Sequence, residues 1–252
     1  MAYILEVCRA GATIEITKKH SRRYPPPGTG REKKQNPTTE AQEQVNARQA
    51  ETRIRRDMNH NFRAGDLYIT LDYEKDKRPE DGEEMRSHGD KLKRDLRRIY
   101  RKKGIELKYM YVMERGSRGA MHHHILISAG ADLEELRKIW PYGRIHVDPL
   151  DGSGQYRKLA SYFIKYAIKT RHTDEKLMNR YCETSRNLVH PPVKKVLVHR
   201  KHWRREVPAR KGYYLDKDTE QHYIDQFGFE AMKYTLVRIP EGKEKQCRRI
   251  ST

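Results

Sequence analysis

Ile105–Ser128 reads IELKYMYVMERGSRGAMHHHILIS, two apolar, aromatic and β-branched runs around a Gly-Ser-Arg-Gly turn. The runs Ile105–Glu114 and Met121–Ser128 have strand composition, and glycines at 116 and 119 suit a chain reversal between them. Successive side chains of a strand alternate faces, so His122 and His124 point one way and His123 the other. The like-facing imidazoles stand roughly 7 Å apart at the backbone, twice the ~3.3 Å rise per residue. An odd-length or bulged loop brings Glu114 to their face, whereas a regular two-residue loop pairs Glu114 with Met121 and separates it from them. In the first register, two neutral imidazoles and one hard carboxylate suit Mn²⁺ or Mg²⁺ and leave positions open for phosphate oxygens. A His triplet beside a turn is also a common surface decoration. Here Ile125–Ile127 continue the strand into the core and anchor the pair on a rigid element.

Outward from this hairpin, LYITLDY (Leu67–Tyr73) reads as an inner strand. Pro79–Lys102 carries Met85, Leu92, Leu96 and Ile99 at helical spacing amid charge, an amphipathic helix. A short helix over Asp132–Ile139, a strand over Arg144–Val147 and a helix over Gln155–Thr170 follow. The order β-α-β-β-α-β-α implies an α+β fold, an antiparallel sheet with its helices mainly on one face in a ferredoxin-like or RRM-like plait. Upstream, Tyr3–Val7 and Thr13–Thr17 can pair as a hairpin around Gly11, and residues 20–37 have linker composition. Thr38 or Thr39 can cap a polar helix running to about Asn61, with Glu40 and Glu43 near its positive end. Beyond Pro191 and Pro192, VKKVLVHR and KYTLVRI are further strand candidates. The organisation expected is an N-terminal extension (1–62), a central domain (63–195) and a basic C-terminal accessory segment (196–252).

The chain has 252 residues, enough for one large domain or a core with extensions. Fifty-four Lys and Arg against 35 Asp and Glu leave a net charge of +19, which attracts polyanions and makes nucleic acid the leading partner. Hydrophobic residues make up 35% of the chain, clustered in short runs that can still form a modest core. No stretch approaches the ~20 apolar residues of a membrane helix, and Glu6 and Arg9 interrupt the first apolar run, so no membrane partner and a cytoplasmic location are expected. Cys8, Cys182 and Cys247 stand alone, without the spacing of a cysteine-based zinc module.

In SYFIKYAIKT (Ser161–Thr170), Tyr162, Lys165, Tyr166 and Lys169 share one helical face, while Phe163, Ile164, Ala167 and Ile168 form the core-facing side. Plain amphipathic packing explains many such helices, but here both tyrosines lie with the lysines. A phenol with a pKa of about 10 is a poor nucleophile at neutral pH unless cations or a metal-polarised phosphate assist it. Lys165 and Lys169 can supply that charge. Arg53, Arg55 and Arg56 on the polar helix are candidates to face DNA, as are Arg200, Lys201, Trp203, Arg204 and Arg205 in RKHWRREVPARKGYY, where cations and rings alternate.

Together these residues resemble the HUH endonucleases, specifically the rolling-circle replication initiators of plasmids and single-stranded DNA viruses. LYITLDY looks like the first strand motif, Glu114 with HHH like the metal motif and YFIKYAIK like the tyrosine helix; YCETSRNLVHPP (Tyr181–Pro192) is similar to a segment that often follows. The resemblance spans about residues 63–195. It implies that His122, His124 and Glu114 hold Mg²⁺ or Mn²⁺. It also implies that a tyrosine, Tyr166 first and Tyr162 as a second nucleophile, nicks single-stranded DNA to leave a 5′-phosphotyrosine and a free 3′-hydroxyl. The substrate would be a replication origin, in hairpin form, and the cell bacterial. The departure is His123, where the family usually has an apolar residue; a one-residue slip would let it replace a ligand. No G-x-x-x-x-G-K-[ST] occurs, so a host helicase would unwind the DNA and a host DNA polymerase would extend the 3′-end. An HUH transposase or relaxase shares the same chemistry, and a basic nucleic-acid-binding protein without catalysis is the reading from another class. The absence of H-E-x-x-H argues against a metalloprotease.

Overall fold

The strands and helices of the computed structural model are, in chain order, β1 (Tyr3–Ala10), β2 (Thr13–Lys19), α1 (Glu40–Asn61), β3 (Leu67–Asp72), α2 (Gly82–Lys102), β4 (Tyr109–Arg115), β5 (Met121–Ile127), α3 (Leu133–Ile139), β6 (Ile145–Pro149), α4 (Arg157–Arg171), β7 (Glu183–Thr184), β8 (Val193–Val198), β9 (Tyr213–Ile224) and β10 (Glu230–Arg238). The structure describes residues 2–20, 40–116, 119–171, 177–224 and 228–240. Nearly all of the expected linker, and the expected Thr38 or Thr39 cap, lie outside them. The fold is α+β, consistent with a ferredoxin-like arrangement, with two antiparallel five-stranded sheets.

The chain divides into two units. One spans residues 44–152 and 156–189 and holds the sheet β6-β3-β5-β4-β7. Its central strands β4 and β5 are buried almost throughout, as the near-continuous apolar run of YMYVMER requires of a strand covered on both faces. The pair α2 and α3 gathers on one face, as a ferredoxin-like plait expects. The tyrosine helix α4 lies on the other, where Phe163 meets Tyr68 at 6.1 Å between ring centroids. The helices are therefore divided between the faces, because the even-numbered positions Tyr68, Met110, Val112 and Leu126 present a second apolar surface that also needs cover.

Local signals set the helix starts. Asp81 caps α2 by accepting from the Glu84 amide at 2.8 Å, and Glu83 and Glu84 occupy its positive end. Asp132 and Glu135 form a reciprocal capping box that starts α3. The expected stripe of α2 is buried at Met85, Leu92 and Leu96, with Tyr100 joining it and Ile99 at its edge.

The second unit comprises residues 1–43, 153–155 and 190–252, and its sheet runs β8-β1-β2-β10-β9. The hairpin expected around Gly11 is its centre, with Ala10 opposite Thr13 and Gly11 at φ 57° making the turn. Both flanking segments thus contribute to one sheet, β1 pairing with β8 and β2 with β10. Ile14, Ile16, Met232, Tyr234 and Leu236 form its own small core.

Gly89 marks the tightest approach of α2 to the first sheet. A Cβ there would collide with the Tyr111 hydroxyl and crowd the His123 ring. Gly89→Ala is expected to destabilise the protein by about 1–3 kcal/mol through overpacking, read as a lower urea midpoint at unchanged slope.

Candidate active site

The β4–β5 pairing settles the register question left open by the sequence. Arg115 pairs with Met121 and Glu114 with His122, so the loop is residues 116–120 and odd in length. On the other side of β5, Asp72 pairs with the same His122, and Thr70 with His124. Asp72, His122 and Glu114 therefore form one cross-strand row on a common face, with Thr70 and His124 in the adjacent row.

Within that face the side chains are joined by hydrogen bonds. His122 Nδ1 lies 2.7 Å from Asp72 Oδ1. His124 Nε2 lies 3.1 Å from Glu114 Oε2, and its Nδ1 faces the Tyr68 hydroxyl at 2.9 Å. Lys169 Nζ donates to Glu114 Oε1 at 2.7 Å from the overlying helix. The Tyr166 ring stacks on His124 at 4.1 Å with an 8° interplanar angle.

Electrostatics follow from burial and these partners. Burial opposes ionisation of Glu114, but the hydrogen bonds from His124 and Lys169 outweigh it and draw the carboxyl down to about 2. Burial lowers the His124 pKa, with Glu114 partly opposing, so its imidazole is neutral at neutral pH. In that state the Nε2–H faces Glu114 as donor and Nδ1 accepts from Tyr68. Burial raises the Tyr166 phenol; a hydrogen bond from Tyr68 and the charge of Lys169 act against it, while Glu114 adds to it.

The sequence-predicted residues separate into groups. His122, His124, Glu114, Tyr166 and Lys169 converge. Tyr162 is half-exposed one turn away, its ring 6.2 Å from that of Tyr166, and Lys165 is exposed. His122 remains partly accessible, whereas His124 is buried beneath Tyr166, so only part of this edge is open to solvent. His123 points to the opposite face, fully buried, with Nε2 2.6 Å from the Tyr73 hydroxyl and Nδ1 bonded to the Tyr111 hydroxyl. With both ring nitrogens engaged it is a core residue. Among the described residues no three His, Cys, Asp or Glu are arranged as a preformed metal cage.

Of the residues expected to face DNA, Arg53 is exposed and Arg56 partly so, but Arg55 is buried and does not face outward. Arg200, Lys201, Arg204 and Arg205 are exposed, Arg205 approaching Glu230 at 3.3 Å. Trp203 is half-buried, stacked on His20 at 4.9 Å and edge-on to Tyr3 at 5.1 Å, so much of its ring is used within its own unit. Sequence reasoning assigned no role to Asp72 and Tyr68. The signal was present, because period-two alternation puts Tyr68, Thr70 and Asp72 on one face of LYITLDY, but which face met the histidines depended on an unread strand pairing.

Residues 66–171 match the model of a family described as Replication-associated protein ORF2. That stretch is a replication-associated domain of the rolling-circle initiator type, and it contains all the converging side chains above, from Tyr68 to Lys169. No curated protein and no solved structure matches the chain. Among the described residues no helix is long and apolar enough to cross a membrane.

The depressed Glu114 carboxyl stabilises the fold above its ordinary value of 4.5, and this contribution is lost as pH falls toward about 2. Lys169→Gln removes one of the two bonds that lower it. In metal-free buffer the Glu114 midpoint, followed by side-chain carbon NMR, is expected to rise toward 4.5.

Proposed function

We propose that this protein is a rolling-circle replication initiator that cuts single-stranded origin DNA with Tyr166 as nucleophile. The observation that carries the reading is the stacking of Tyr166 on His124, directly over the Glu114–His124–Lys169 cluster. In the reaction the Tyr166 oxygen bonds to phosphorus as its phenolic proton leaves, the bond from phosphorus to the 3′-oxygen breaks, and that oxygen takes up a proton. The products are a 5′-phosphotyrosine and a free 3′-hydroxyl, and the reverse step rejoins strands. Lys169 favours the phenolate by its positive charge, and Tyr68 contributes a hydrogen bond to the same oxygen. Tyr162, more exposed and further from His124, fits a second nucleophile that acts after the first.

The chemistry of His122, His124 and Glu114 fits Mg²⁺ or Mn²⁺, with two imidazoles, one of them held neutral by burial, and an ionised carboxylate on one face. A bound ion there would neutralise charge developing on the scissile phosphate. Because His124 Nε2 and Glu114 bond to each other, cation binding requires that hydrogen bond to give way and a proton to leave. Asp72 orients His122 from behind through Nδ1. The origin hairpin and the host helicase and polymerase belong to this same reading.

Tyr166→Phe should abolish the covalent protein–DNA adduct, scored by denaturing gel with an origin oligonucleotide and Mn²⁺, while noncovalent DNA binding persists. If that variant formed the adduct and Tyr162→Phe did not, the nucleophile would be Tyr162. No adduct from the wild-type protein with any metal would favour a purely DNA-binding role. Asp72→Asn should weaken Mn²⁺ affinity by about 10–100-fold, measured by titration calorimetry, without loss of folding.

A further inference from the structure

A cavity of about 820 Å³ lies in the first unit, away from the tyrosine site, between the C-terminal part of α2, the start of β4 and the segment after β7. Three guanidinium groups line it, those of Arg97, Arg101 and Arg186, and among the described residues no carboxylate does. Arginine does not deprotonate, so three such groups around one opening repel each other unless an anion balances them. Arg97 is fixed, its Nη2 donating to the Tyr109 hydroxyl at 2.8 Å with the guanidinium 5.5 Å from that ring. Arg101 follows one turn later on the same helix face. Asn187 and Ile105 complete the lining, a polar amide and a half-exposed apolar side chain.

We propose that this cavity binds a backbone phosphate of the DNA strand, at a nucleotide distinct from the one that is cut. Planar guanidinium forks match phosphate oxygens in pairs, and the cavity is large enough for a nucleotide, with Ile105 to meet a sugar or base. Tyr109 and Glu114 are five residues apart on β4, about 17 Å at ~3.3 Å per residue, and face opposite sides of the sheet. One phosphate therefore cannot occupy both places. The site would hold flanking DNA while the tyrosine works elsewhere. This inference rests on the reading of the domain as one that handles single-stranded DNA.

The test measures anisotropy of fluorescein-labelled single-stranded oligonucleotides over a salt series, using the full chain. Arg101→Gln/Arg186→Gln should weaken binding of a long oligonucleotide about tenfold and lower the slope of log affinity against log salt by about 0.7 for the phosphate lost. Arg94→Gln/Lys102→Gln removes the same charge from exposed positions on the same helix and should have less than a twofold effect. Equal losses in the two variants, no loss in the first, or no binding of any probe by the wild-type protein would overturn the proposal. Thymidine 5′-monophosphate separates the sources of phosphate. If it binds the wild type and not the first variant while oligonucleotide affinity is unchanged, the cavity takes a free nucleotide and the strand assignment fails. Adduct formation by the wild type is scored in parallel, so a missing adduct with the arginine effect intact counts against the nicking chemistry alone.

Discussion

The pairing of β5 with its two neighbours is the constraint on which the site depends. One register puts Asp72, His122 and Glu114 in a row; a slip of a single residue would turn that row away and bring His123 and Met113 to its place. The core beneath enforces the choice. His123 is held between the Tyr73 and Tyr111 hydroxyls, a neutral imidazole with both nitrogens satisfied, and Gly89 lets α2 approach closely enough to seal it. A buried polar ring with two fixed partners has no equivalent one residue along, so the alternative registers leave unsatisfied groups in the core. The residue that departs from the family's usual apolar pattern thus serves as the lock for its neighbours.

The second layer of the site comes from a helix. Tyr166 and Lys169 reach His124 and Glu114 because Phe163 and Ile164 are buried against the sheet, fixing the rotation of α4. That helical rotation and the strand register are independent, and both are needed before a phenol meets a neutral imidazole next to an ionised carboxylate. The same packing puts a cation within 6.0 Å of the Tyr166 ring, where it acts on the phenol and on Glu114 together.

Much of this was readable from the chain. Helical spacing identified α2 and the mixed Tyr/Lys face of α4, and period-two alternation separated His123 from its neighbours. The register was conditional, since loop parity cannot be read from GSRG alone, and Asp72 was invisible as a partner of His122 until the β3–β5 pairing was known. Burial of Arg55 was equally unreadable, because a polar helix with scattered alanines gives little indication of which face packs inward. The sheet built from both flanks escaped sequence reading for a further reason. Its partner strands lie at opposite ends of the chain, as Cys8 and Val193 do, and local pattern carries no information over such distances.

That sheet has a practical consequence for anyone dividing the molecule. The hairpin near the start of the chain supplies its middle strands, flanked by β8 on one side and β10 on the other. Deleting the first twenty residues would not shave off a dangling arm. It would split the remaining strands into an isolated β8 and a β9–β10 pair, baring two rows of backbone amides and carbonyls to water and to each other's copies. A fragment meant to isolate the replication-associated stretch therefore has to shed both flanks at once or keep both.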